Sequence, residues 1–541
     1  MILRRGKARD QRGVVVVALV AVLLLVGAYV VFSSLNLAAV RVDRDRVTNE
    51  ALAKAKEALT AYAVSDPNRP GELPCPDVND DGQLALGEDY GAGGVCTSLI
   101  GRLPWRTLDL PDLRDDNGER LWYALSADFR AGNSAVALNN DTAYLAGNTS
   151  LRVLTAAGLP AAPNGVVGAV VFSAGAALRR ADGVGQARGC TVGVDCDATF
   201  KCTTAPASNT PKCNPRNYLD LALGEDNADL LPAANPQFVS AERSSTFNDR
   251  LMPIYSDDIM WLVERRASRE YAQHLRDHYD TWQSPPAVAS TNFVNFKGFY
   301  PWAAPLGDPS APQPGSNGTT NGLLPLDTSS VVWNSGTATL GACSGVGTNQ
   351  LTCTTVLLLP FLVTINGRVR NVGTALVDPP SIGNVSVLSG IVLGAPNVTW
   401  TLVPGSNALD FSYSATLLGA LVRVQVTAPT ASSWTTTSWL ATNNWHQNTQ
   451  YAVSAGYALT GGGACALPGP PTCVSVNGSA AYAAIVMTGR ALPAQAARPI
   501  AVLPASPTDF LEGVNATPSN LTLAGGLKSS TFNDLPVAVR P

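Results

Sequence analysis

Between Cys75 and Cys96 the chain reads CPDVNDDGQLALGEDYGAGGVC, and inside it Asp77, Asn79 and Asp81 alternate with other residues ahead of Gly82 and Glu88. The spacing D-x-N-x-D-G-x5-E is that of a calcium loop. Side-chain oxygens come from loop positions 1, 3 and 5, glycine at 6 makes the sharp turn, the Gln83 carbonyl stands at 7, and a bidentate Glu88 closes the site at 12. Leu84 fills the apolar position 8. Hard oxygen donors in this order suit calcium, with an expected affinity on the order of 10⁻⁴ to 10⁻³ M, as in extracellular modules. Pro74 and Pro76 forbid an ordinary entering helix, so the expectation is an EF-hand-like loop on a disulfide scaffold. A plain Asp/Asn/Gly surface turn is the competing reading of the same residues.

Other chemistry is sparse. The chain has three histidines. His274 and His278 stand four apart on a predicted helix but lack the Glu of H-E-x-x-H, so a solvated helix face is expected; His446 has no Cys or Ser nucleophile near it in sequence. The nucleophile elbow G-x-S-x-G, the Walker loop and the G-x-G-x-x-G signature are absent, and no enzyme is expected. Asp112, Asp115, Asp116 and Glu119 of DLRDDNGER read as a solvated turn in preference to a second cation site. Trp302, Trp434, Trp439 and Trp445 are candidates for a sugar-binding face, against the commoner fate of core or interface packing.

The ten cysteines form five sequence neighbours: Cys75 and Cys96, Cys190 and Cys196, Cys202 and Cys213, Cys343 and Cys353, Cys465 and Cys473. An even count reads as disulfides of an exported chain, with local pairing the simplest assignment and connectivity open. No C-x2-C pair occurs, which argues against zinc. The formal charge is −4. Without the first thirteen residues the balance is 32 basic to 40 acidic, an acidic body that argues against nucleic acid. Charged residues make up only 14%, beside abundant Gly and Pro, the profile of a loop-rich and strand-rich extracytoplasmic protein.

The element that would carry this body is the N-terminal stretch. Residues 14 to 40, VVVVALVAVLLLVGAYVVFSSLNLAAV, hold no charge and are long enough for a hydrocarbon core of about 30 Å. Arg4, Arg5, Lys7, Arg9 and Arg12 precede it, which keeps the N-terminus cytoplasmic by the positive-inside bias. No proline falls before Ser65, and Leu52, Ala55, Leu59 and Tyr62 have helical spacing, so the helix is expected to continue past a membrane. Pro67 and Pro70 end it.

A basic leader ending in Gly13, an apolar segment beginning at Val14 and an amphipathic continuation together resemble the N-terminus of type IV pilin-like proteins. That resemblance implies cleavage between Gly13 and Val14 by a prepilin peptidase and assembly with other pilin or pseudopilin subunits through the helix. Ala18 stands at the fifth mature position, where major pilins usually carry Glu, so the likeness is closer to minor pilins or the tip pseudopilin of type II secretion. An uncleaved signal anchor and a removed signal peptide are the alternatives. Residues 67 to 285 also resemble a group of uncharacterised bacterial pilin-like proteins.

Along the chain, 1–13 reads as leader and 14–65 as the transmembrane and amphipathic helix. Residues 66–285 read as a first α/β head module closed by a helix from Ser256, with Asp257 and Asp258 in its first turn and Ile259, Val263, Ala267, Tyr271, Leu275 and Tyr279 on one face. Residues 286–325 read as linker, and 326–435 as a β-rich, sandwich-like domain with regular turn spacing. Residues 436–541 echo the first module: YALS at 123–126 and YAVS at 451–454, NGVVGAVVFSAGAAL and NGSAAYAAIVMTGRAL, YLDLALGEDNAD and DFLEGVNA, and SSTFND at 244–249 and 529–534. The expected fold class is thus α+β, a long membrane-spanning N-terminal helix with a duplicated α/β pilin-like head and an intervening β-sandwich-like domain. The expected function is that of a minor pilin or pseudopilin in a type IV pilus or type II secretion-like filament. It would be anchored in the inner membrane by one pass, with the head periplasmic or extracellular. The alternative is a membrane-anchored adhesin with a surface or glycan ligand.

Overall fold

A computed structural model describes residues 12–130, 137–144, 151–161, 166–189, 212–229, 236–283, 300–307, 309, 319–325, the strands and Gly345 between 335 and 429, 438–458, 473–495, 498, 505–517 and 521–540. It divides into two compact units: residues 1–59, 75–126 and 151–254 form the first, and 60–74, 127–150 and 255–541 the second.

Helix α1 runs Arg12–Ser65. Its side chains are described over residues 17–26 and 42–65. Thr48, Leu52, Ala55, Leu59 and Ala63 form the buried stripe, with Tyr62 only half-buried, so the stripe follows small residues that let the backbone approach closely. Among the described residues no helix is long and apolar enough to cross a membrane, and the expectation of a membrane-spanning N-terminal helix is corrected accordingly. Where its side chains are described, residues 17–26 are apolar and exposed, and from Val42 onward charged residues recur along the helix.

Unit 1 is built on a four-stranded sheet of β1 (Ile100–Arg102), β2 (Trp122–Leu125), β3 (Val167–Ser173) and β4 (Arg250–Tyr255), bonded in that order. Strand β2 pairs antiparallel with β1 through Ile100 and Ala124, and with β3 through Trp122 and Phe172. Strands β2 and β3 are buried at every position, the pattern of a sheet covered on both faces. Pro253 is tolerated because β4 is an edge strand. Helix α1 lies along this edge: Lys56 Nζ donates to the Pro253 carbonyl at 3.2 Å, and Asp45 pairs with Arg250 and Arg243.

Unit 2 repeats the arrangement. Its helix α2 (Ser256–Gln283) buries Ile259, Val263, Ala267, Tyr271, Leu275 and Tyr279. Its sheet is β5 (Asn321–Leu323), β6 (Thr449–Val453), β7 (Ala483–Met487) and β8 (Leu535–Val539), bonded in that order with every pairing antiparallel. Pro536 again sits on the edge strand. Helix α2 groups with this second unit, so it opens the second module instead of closing the first. Ser256 does not cap it with its hydroxyl, which donates to the Ala143 carbonyl; Asp258 reaches back to the Tyr255 N–H at 2.9 Å instead.

The stretch expected as linker is partly core. Tyr300, Trp302, Ala303, Ala304, Leu323 and Leu324 are buried, and β5 completes the sheet, because these apolar residues sit between the Pro/Gly-rich runs that suggested a linker. Between β5 and β6 two four-stranded antiparallel sheets are inserted. One orders Ser335–Ala338, Ala420–Pro429, Ala408–Leu417 and Asn397–Leu402; the other orders Gly341–Ser344, Gln350–Leu357, Phe361–Arg368 and Ser381–Leu388.

The two SSTFND segments make the same turn. The N–H of Ser244 donates to the Phe247 carbonyl at 2.8 Å, and that of Ser529 to Phe532 at 2.7 Å. Each turn leads into a buried carboxylate lock. In unit 1, Asp249 accepts from the Asp220 N–H at 2.7 Å and the Asn227 amide at 2.9 Å, while Asp220 accepts from the N–H groups of Asn248 and Asp249. In unit 2, Asp534 accepts from the Glu512 N–H at 2.9 Å and the Asn515 amide at 2.8 Å, while Glu512 accepts from the N–H groups of Asn533 and Asp534. Gln186 and Gln495 donate to the second carboxylate of each pair, at 2.8 and 2.6 Å. Arg188 and Arg498 brace the glutamines. Gly175 and Gly489 both adopt positive φ, and a Cβ there would strike Asn248 at 2.9 Å or Asn533 at 2.5 Å. Burial, and then the neighbouring acid, raises Asp249 well above the usual carboxylate range and Asp534 to about 8.

Candidate functional site

The Asp77–Glu88 loop starts where the chain bonds to β1 by two backbone hydrogen bonds between Asp77 and Arg102, at 3.0 and 2.7 Å. Gly101 permits that approach, since a Cβ there would lie 2.5 Å from the Asp77 carbonyl oxygen. Asp77 is buried, and its Oδ1 accepts from the N–H groups of Asn79 and Asp80 while Oδ2 accepts from Gly82. Asn79 Oδ1 accepts from Asp81, and Asp81 Oδ1 from Gln83. Side-chain oxygens at alternate positions thus accept from backbone N–H groups a few residues ahead and fold the chain back on itself. Glu88 is drawn to the same place by the Asn79 amide at 2.5 Å.

Gly82 is required twice over. It has φ +83°, and a Cβ would meet the Trp105 indole at 2.4 Å. Its carbonyl accepts from Arg106 at 2.9 Å and Thr107 at 3.2 Å. The Leu84 N–H donates to Thr107 Oγ1 at 2.9 Å, so position 8 is held by this turn. The Cys75–Cys96 disulfide closes the loop, with Cα atoms 5.4 Å apart.

Several residues that hold the loop carry no sequence signal. Asp89 is wholly buried and its two oxygens take the N–H groups of Val78 and Ala85, both at 2.9 Å. Asp80, in the left-handed region at φ +62°, turns away from the loop interior toward Arg120 at 3.1 Å, Lys212 at 3.7 Å and Arg102 at 3.8 Å. Arg102 in turn lies between the rings of Trp122 and Tyr218, at 4.1 and 4.2 Å. These contacts join residues up to about 130 positions apart, and no local pattern could have found them.

The donor set fits a hard divalent cation. A carboxylate offers about four lone-pair sites, and Asp77 uses three, leaving one for a metal. Burial, together with Asp80 and Asp89, pushes Asp77 from 3.8 up to about 7 against the N–H bonds it accepts, an electrostatic cost that a cation would offset. Among the described residues no three His, Cys, Asp or Glu side chains are grouped so as to hold a metal ion.

The other candidates fare differently. Asp112 pairs with Arg114 and Arg120, Asp115 accepts from Ser173 and Gly175, Asp116 accepts from Thr48, and Glu119 lies 3.5 Å from Arg188. All four are engaged internally, and the solvated-turn reading of Asp115 is corrected, since it is buried. His278 is also buried, not solvated, and desolvation lowers it to about 3. Desolvation lowers His446 to about 4. Trp302, Trp439 and Trp445 are buried, which removes them from a sugar-binding face; Trp434 lies outside the described residues.

Gly13 and Val14 lie within α1. Cys213, Cys343 and Cys473 are disulfide-bonded, and Cys343 faces Cys353 directly across the ladder. Cys190, Cys196, Cys202 and Cys465 lie outside the described residues. No protein family, curated protein or solved structure matches this chain.

Proposed function

We propose that this chain is an exported, noncatalytic filament subunit of the minor pilin or pseudopilin kind. The observation that carries this reading is the asymmetry of α1. From residue 42 it is tied to β4 by Asp45 and Lys56, whereas Val17, Leu19, Val20, Val22, Leu23, Leu24, Leu25 and Val26 all project into solvent, Leu25 at 71% exposure. A contiguous apolar surface of this kind marks an association site. Packing it against the same segment of neighbouring subunits would contribute about 1.5–3 kcal/mol for each Val or Leu buried. The disulfides support an oxidising compartment outside the cytoplasm. Calcium in the Asp77–Glu88 loop would stiffen the head, a structural use in keeping with such a subunit.

The test is assembly in the native host. Leu23→Arg combined with Leu24→Arg should abolish incorporation into filaments while the head unfolds at the same midpoint. Incorporation at the level of the unaltered chain would overturn the reading. Gly13→Val should leave the chain starting at Met1 instead of Val14 by mass spectrometry; normal processing of that variant would remove the prepilin comparison.

A further inference from the structure

In unit 2 the residue before SSTFND is Lys528, and its Nζ lies 2.7 and 2.9 Å from the two oxygens of Glu264 on α2. Glu264 is wholly buried, and Lys528 is about one quarter exposed. At the matching place in unit 1 stand Arg243 and Asp45, both close to half exposed. A lone lysine is poor compensation for a carboxylate removed completely from water, because desolvation of such a pair commonly exceeds its Coulomb gain. Something besides ion pairing should account for the buried version.

The third member is Asn140. Its side chain is wholly buried, both ends of its amide lack a hydrogen bond of normal geometry, and it lies against the Glu264 carboxylate. The loop presenting it is fixed: the Leu138 N–H donates to Asn443 at 3.0 Å, and Asn139 both donates to the Asn443 carbonyl and accepts from the Asp141 and Thr142 N–H groups. The Lys528 Nζ lies 4.6 Å from the centre of the Trp261 ring. An amine and a wholly buried carboxamide are thus both held at one wholly buried carboxylate.

We propose that Lys528 and Asn140 become joined by an intramolecular isopeptide bond, with Glu264 as the proton carrier. Burial of Glu264 favours its protonated form, so Glu264 takes one proton from Nζ and the amine lone pair is freed. Nζ attacks Cγ of Asn140, while the protonated Glu264 donates to Oδ1 and favours the tetrahedral adduct. A further Nζ proton passes through Glu264 to Nδ2, the Cγ–Nδ2 bond breaks and ammonia departs, and the Oδ1 proton returns to Glu264 as the carbonyl re-forms. The new Nζ–Cγ amide replaces the old one, with no oxidant or reductant involved. Unit 1 cannot do this, because a guanidinium is neither nucleophilic nor deprotonated in proteins. The bond would staple the C-terminal strand segment to the loop at residues 138–144, a mechanical advantage for a subunit under load.

The experiment is mass spectrometry of the full-length chain, denatured, reduced and digested. The expected result is a branched peptide joining the fragments that contain Asn140 and Lys528, lighter than their sum by one ammonia. Recovery of both fragments only as linear peptides of full mass overturns the proposal. So does ammonia loss confined to a linear peptide, the mark of a succinimide. Lys528→Arg, which keeps the charge, should lose the branched peptide yet remain folded by circular dichroism. Glu264→Gln should lose it as well, and undiminished linkage in that variant would overturn the role given to Glu264.

Discussion

Unit 1 holds its opening helix to the residue before SSTFND with a half-exposed Arg243–Asp45 pair, whereas unit 2 uses Lys528 and a wholly buried Glu264. Around these pairs the two sheets have the same order, the same edge proline and the same carboxylate lock. What differs is attached to that frame: unit 1 carries the disulfide-closed oxygen-rich loop and the exposed apolar end of α1, while unit 2 carries two inserted sheets between β5 and β6. The conserved part is therefore the part that must satisfy buried polar groups, where a change in one residue strands several others. Loops and exposed pairs have no such constraint and have diverged.

The largest effects should come from the locks. Asp249→Ala strands the Asp220 N–H and the Asn227 amide, and Asp534→Ala strands the Glu512 N–H and the Asn515 amide, so each should cost about 3–5 kcal/mol. Hydrogen exchange read separately over each sheet should show a loss confined to the mutated unit and similar in size. A loss of under about 1 kcal/mol in one unit alone would break the equivalence.

Gly82→Ala has no counterpart in unit 2. Left-handed strain of roughly 1–2 kcal/mol adds to displacement of Trp105, so unfolding of unit 1 should shift by about 2 kcal/mol or more. An unchanged denaturant midpoint would show that the loop is not docked on Trp105.

Calcium sharpens the contrast further. At about 10 mM calcium and the expected affinity, unit 1 should gain roughly 1–3 kcal/mol and unit 2 nothing. Asp77→Ala and Glu88→Ala should remove the gain; equal midpoints with calcium and with chelator in the unaltered protein would sink the site. The pH dependence follows from Asp77, whose folded value of about 7 lies above the ordinary 3.8. Without metal the folded state holds the extra proton, so stability from this group is full below about pH 4 and is lost as pH rises to 7. Calcium needs the deprotonated form, so its affinity should rise across the same interval, which titration calorimetry at several pH values would check.

The smallest effect belongs to Arg243→Ala. The pair it breaks is near half exposed and should contribute about 0–1 kcal/mol. A cost approaching that of the locks would mean that this pair does more than steer the helix.

Local pattern by itself determined the stripe of α2 and the turn chemistry of Asp77, Asn79, Asp81 and Gly82. Each of these depends on hydrogen bonds or periodicity within a few residues. The repeated SSTFND marked two places in the chain but not what they hold, because Asp249 meets Asp220 and Asn227, and Asp534 meets Glu512 and Asn515, only after folding. Tertiary structure likewise decided that Ser256–Gln283 opens the second unit, that Tyr300 and Trp302 are core within a Pro/Gly-rich stretch, and that His278 is neutral and buried. It also placed Asp80 outward among Arg102, Arg120 and Lys212, and brought Asn140, Glu264 and Lys528 together. Burial and long-range pairing are properties of which surfaces meet, and a sequence window records only which residues are available to meet.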